Sequence, residues 1–81
     1  MKSHNQVKTE QALSLSRLIV WAGGQSALAR GLNVDRQVVH QWIKRGRISA
    51  MMAIEAERET NGWITKEELR PDVTNWINEN A

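Results

Sequence analysis

The chain has 81 residues, 25% of them charged, no cysteine, and 11 Lys and Arg against 9 Asp and Glu for a net charge of +2. That length allows one small domain, which buries only about 60% of its unfolded surface and gains from pairing with a second copy. The absence of cysteine excludes disulfides and thiolate metal sites and fits a reducing cytoplasm.

The N-terminal "MKSHNQVKTEQ" lacks the apolar core of a signal peptide, and no apolar run approaches the ~18 residues that span a membrane. Charge is unevenly placed. Residues 1–47 carry a net +6 and residues 48–81 a net −4. A basic front half suits a polyanion, whereas the acidic half, with Glu55, Glu57, Glu59, Glu67 and Glu68, reads first as a solvated face and second as a contact for another protein such as a toxin or a polymerase.

In chain order, residues 1–9 are polar and aperiodic and read as a flexible arm. Leu15, Leu18, Ile19 and Ala22 follow helical spacing, so a first helix is expected from about Glu10 to Ala22, stopped by Gly23-Gly24. A second, short helix covers about Gln25 to Gly31, with Leu28, Ala29 and Leu32 on one side. Asn33 tolerates positive φ and suits a sharp helix-ending turn, and Asp35 is placed to cap the next helix. That third helix runs from about Arg36 to Lys44, with Val39 and Trp42 inward. Ser49 caps a fourth, ending near Thr60, whose inward candidates are Met51, Met52, Ile54 and the stem of Glu55. "WIT" at 63–65 reads as extended, and Thr65 caps a short turn over Lys66–Leu69. Pro71 allows a last helix over about Val73–Asn78, showing Trp76 and Ile77 to the core or to a dimer interface. Without Phe or Tyr, Trp and Leu are expected to make the core between them, and Glu55 is expected to pair with Arg70.

Two short helices joined by a three- to four-residue turn match a helix-turn-helix. Ala29 lies where the helices cross, and Val34, Val39 and Trp42 lock them. The third helix then keeps a free face of Arg36, Gln37, Val38, His40, Gln41 and Lys44. Such a face fits the major groove of double-stranded DNA: Arg bonds guanine bidentately, Gln bonds adenine, and Val38 can meet a thymine methyl. Arg36, Gln37, His40 and Gln41 are therefore the candidate base contacts. Gln25 and Ser26 open helix 2, where exposed N–H groups attract phosphate, although Ser26 reads equally as a simple cap. Lys44, Arg45 and Arg47 suit the flanking DNA backbone, and also the negative end of helix 3.

His4 and His40 stand far apart in sequence with no cysteine to join them, so no metal site or cofactor is expected. No nucleophile–base arrangement or phosphate-binding loop is present, which argues against an enzyme.

The segments "AGGQSALARGLNV", "VVHQWIKRGRI" and "AIEAERETNGWITKEELRPDV" carry a resemblance. Residues 19–73 resemble the Cro/CI-like helix-turn-helix proteins, and specifically the YdaS-type subgroup of phage, prophage and toxin–antitoxin regulators. The resemblance implies an all-α, five-helix, lambda-repressor-like domain over residues 10–72, and leaves residues 73–81 as a tail available for dimerisation. It implies a cytoplasmic homodimer that binds operator DNA and represses transcription, with an antitoxin that binds a toxin as the alternative. Two departures stand out. The family often has proline where Ser49 stands, and glycine near Asn33, for which Asn is a sensible replacement.

Overall fold

Ser3 starts the first helix. Its Oγ accepts from the Gln6 N–H at 3.2 Å, and the Gln6 carboxamide accepts from the Ser3 N–H at 2.9 Å, a reciprocal capping box. In the computed structural model, which describes residues 3–76, α1 accordingly covers His4–Ala22. The expected loose arm over residues 1–9 is thus corrected from His4 onward. Apolar periodicity does not register a helix start built from polar caps, nor the anchor that Gln11 provides by donating to Asp72 Oδ1 at 2.6 Å.

Gly23 at φ 97° closes α1, with its N–H shared between the Ile19 and Val20 carbonyls, while the Gly24 N–H reaches Ile19 O at 2.9 Å. Both glycines have positive φ, so the chain reverses within two residues. α2 (Gln25–Leu32) buries Leu28, Ala29 and Leu32. It ends at Asn33, which holds φ 58°, ψ 46°, the left-handed conformation expected of it. The Val34 N–H then returns to Ala29 O at 2.9 Å, and α3 (Arg36–Arg45) follows with Val39 and Trp42 buried. Asp35 occupies the N-cap of α3, but its carboxylate makes no capping hydrogen bond. What remains is the attraction of its charge to the positive helix end.

α4 (Ala50–Glu59) is capped by Ser49, whose Oγ accepts from Met52 N–H at 3.3 Å. Of the expected inward face, Met52 is half-buried and packs against the core, and the rest is corrected. Met51 is 74% exposed and Ile54 37%, while Ala53 and Ala56 are fully buried. α4 packs against α2 and α5, and small residues allow that approach; a Cβ on Gly31 of α2 would already stand 3.3 Å from Glu59 Oε2. Thr60 then tethers the next turn. Its buried hydroxyl accepts from Ile64 N–H at 3.1 Å and lies 3.2 Å from the carbonyls of Glu57 and Ile64.

Residues 63–65 form no strand, and α5 (Lys66–Leu69) is a single turn held by a second capping box between Thr65 and Glu68. Residues 73–76 are not helical. Just before them, Asp72 gives its carboxylate to Arg70, in a fork of 2.9 and 2.8 Å, and to Gln11. Ile77 and Asn78 lie outside the described residues. The Glu55–Arg70 pair does not form either: Glu55 meets Arg58 at 3.3 Å.

Among the described residues there are five helices and no strand, an all-α helix-turn-helix domain. Its core is aliphatic around one tryptophan. Trp42 is 3% exposed, while Trp21 and Trp63 are 43% and 64% exposed, so the expected Trp–Leu core reduces to Trp42 with Leu, Ile, Val and Ala. Trp76 packs against the edge of that core with Lys66 Nζ 5.7 Å above its ring.

Candidate nucleic-acid interface

α3 divides cleanly. Val39 and Trp42 point into the core, chiefly against α2, and Arg36, Gln37, His40, Gln41, Lys44 and Arg45 are all exposed. Among the described residues, none offers any of these six side chains a hydrogen bond or an ion pair. Other cations are engaged: Arg17 with Glu68, Arg58 with Glu55, Lys66 with Glu57 and Glu67, and Arg70 with Asp72. Exposed donors left without an internal partner are free to bond a ligand without first breaking a bond.

Gln25 is half-buried at the first turn of α2 and shares a shallow recess of about 420 Å³ with Arg36, Gln37 and His40. A neighbouring recess of about 350 Å³ is lined by Gly24, Gln25, Ser26, Arg30 and Arg36. The N-terminus of α2 and the start of α3 therefore form one continuous surface. Ser26 is exposed within α2, whose N-cap is Gly24 with no side-chain bond, so Ser26 is not the cap. Arg30 escaped the sequence reading. It stands one helical turn beyond Ser26, a spacing that puts both on one face.

At the other end of α3, Arg45 and Arg47 share a third recess of about 420 Å³ with Val7, Lys8, Gln11 and Asp72. Lys8 was also missed, because it belongs to the segment read as an arm. Arg47 is not free: its Nη1 lies 3.5 Å from Asp72 Oδ2. The Arg70 fork holds the Asp72 carboxyl at a pKa of about 2, against 3.8 ordinarily, so that anion persists and offsets part of the charge of Arg47. Lys44 and Arg45 carry no such offset. The surface as a whole is basic at both ends of α3 and rich in hydrogen-bond donors between them, the chemistry that meets phosphates at the rim and base edges at the centre.

A family model described as bacterial toxin YdaS matches residues 5–79. The chain belongs to the YdaS family. A relative from Escherichia coli (strain K12), named "Putative transcriptional regulator YdaS", is 50% identical over 52 residues, covering 63% of this chain and 53% of its own length. The chain thus aligns with about half the length of that curated relative. No solved structure matches it. The YdaS match runs from the first turn of α1 through all five helices, beyond the stretch of 19–73 that carried the sequence resemblance.

Proposed function

We propose that this YdaS-family chain is a transcriptional regulator that binds double-stranded DNA sequence-specifically, as a dimer on a near-palindromic operator. α3 enters the major groove. Arg36, Gln37, His40 and Gln41 read base edges, and Gln25, Ser26, Lys44 and Arg45 hold the backbone on either side, with Arg47 contributing what Asp72 leaves of its charge. Two copies reach half-sites about 34 Å apart, one turn of the duplex. The observation that carries this reading is the exposed, internally unbonded set of donors on α3, continuous with the first turn of α2. The name of the Escherichia coli relative supports the regulatory role. Occlusion of a promoter gives repression.

The test is selection of bound duplexes from a random pool. A defined, two-fold symmetric motif is the expected result, with affinity falling steeply between low and physiological salt, as six or more phosphate contacts require. Recovery of random sequence removes the reading.

The family description as a toxin favours a second reading, in which the chain acts against its host cell. It does so through DNA or through a captured protein; the antitoxin alternative, in which the chain neutralises a toxin partner, gives no growth arrest on its own. Induced expression separates the two. Growth arrest that disappears with Arg36→Ala assigns toxicity to the DNA-binding face, and arrest that persists assigns it to another surface.

A further inference from the structure

α1 is apolar on two opposite faces. Leu15 and Leu18 face inward and are buried. On the outside, Leu13 is 60% exposed, Val20 79% and Trp21 43%, and Trp63 from the α4–α5 turn joins them at 64%. These four residues, with Ser16 and Arg17, line one continuous apolar groove of about 550 Å³. A helix that is apolar on both sides calls for a partner on each.

We propose that a second copy of the chain docks here, α1 against α1, antiparallel about a two-fold axis passing between Ser16 and Arg17. The pattern reads the same in reverse. Leu13 and Val20 lie two helical turns apart, equidistant from that axis, so each meets the other on the second copy. Trp21 lies at the edge of the same groove, about 80° around the helix from Leu13. Ser16 occupies the closest approach, where a short side chain is required.

The charge inside the groove is already compensated: Arg17 Nη1 lies 3.1 Å from Glu68 Oε2, and its guanidinium sits 5.7 Å from the Trp63 ring centroid. Two copies therefore do not oppose bare cations at the axis. The four apolar side chains offer roughly 500 Å² per chain, at the upper end for a monomer's largest patch. A pair covers about 1,000 Å² when all four side chains are buried, the lower bound for a biological interface. No residue of α3 lines the groove, so this pairing leaves both α3 faces open and does not depend on the DNA reading.

The experiment is sedimentation equilibrium of the full chain without DNA, paired with thiol cross-linking. The wild type is expected to approach twice the 9.2 kDa chain mass, and Val20→Glu to return to one chain mass while keeping its helical circular dichroism and cooperative melting. Because the chain has no cysteine, a mixture of Leu13→Cys and Val20→Cys chains reports the register directly. Under mild oxidation the mixed disulfide is expected to exceed either like-with-like species. A wild type that stays monomeric overturns the proposal, whether because the groove is vacant, because residues 77–81 cover it, or because another protein does. A dimer that survives Val20→Glu, or a predominance of like-with-like disulfides, overturns it as well.

Discussion

Gln11 and Asp72, 61 positions apart, meet at 2.6 Å, and Arg70 grips the same carboxylate through two hydrogen bonds of 2.9 and 2.8 Å. Arg70 also donates to Ile48 O at 3.2 Å. One carboxylate thus ties the middle of α1 to the segment that follows α5, beside the C-terminal end of α3.

That carboxylate makes stability depend on acid. Its pKa is lowered from 3.8 to about 2, chiefly by the Arg70 hydrogen bonds. A depressed folded-state value means that the contribution is complete above about pH 4 and is lost as pH falls toward 2. Because the Asp72 side chain is 31% exposed, screening reduces the contribution to about 1–2 kcal/mol. Glu68 shifts in the same direction, first through its hydrogen bond from the Thr65 backbone. Urea unfolding at pH 7 and pH 3 should show this loss in the wild type and a smaller one in Asp72→Asn, which starts less stable at pH 7.

DNA recognition should separate by position along α3. Arg36→Ala is expected to relax preference at one base pair per half-site, with a loss of about 1–3 kcal/mol in discrimination. Arg45→Ala is expected to weaken all duplexes about equally and to lower the salt slope by about one. Titration of operator and scrambled duplexes at several salt concentrations measures both. Unchanged affinity for both duplexes in Arg36→Ala contradicts the assignment of the α3 face.

Asn33 offers a test of how strictly the turn sets α3. At φ 58°, ψ 46°, Asn33→Gly should be close to neutral. Asn33→Val should cost about 1–2 kcal/mol, because a β-branched side chain clashes in the left-handed region. Thermal melts give the stability difference. If α3 is positioned by this turn, Asn33→Val should also lose operator affinity at temperatures where it remains folded.

Much of this was legible from local punctuation. Gly23-Gly24, Asn33, Ser49 and Thr65 each act within a few residues, and the helices they bound appear where those residues place them. The inward face of α4 was legible only at Met52, because Ala53 and Ala56 are chosen by how closely α2 and α5 approach, and a hydrophobicity pattern gives more weight to Met51 and Ile54. The partners of Glu55 and Arg70 were misassigned for a related reason: opposite charges nearer in the chain, Arg58 one turn from Glu55 and Asp72 two residues from Arg70, displace a distant match by charge. On the candidate interface, the α3 residues followed from helical spacing alone. Lys8 and Arg30 join it only once α1 and α2 are placed around α3.

Thr60 should prove a structural keystone despite its polarity. Thr60→Val preserves shape but leaves the buried Ile64 N–H without its acceptor, at a cost of about 1–3 kcal/mol. Thr60→Ser, which keeps the hydroxyl, should recover most of it. Chemical denaturation of the two variants checks the order.

The separation on α3 bears on how such a protein changes over generations. Its inward residues fix the helix to α2, while its outward donors form no bond within the described residues. Substitution among Arg36, Gln37, His40 and Gln41 therefore costs the fold little. On the proposed DNA reading, a lineage can move to a new operator by altering four side chains, with no compensating change in the core, and two such regulators in one cell can diverge in address while sharing a scaffold.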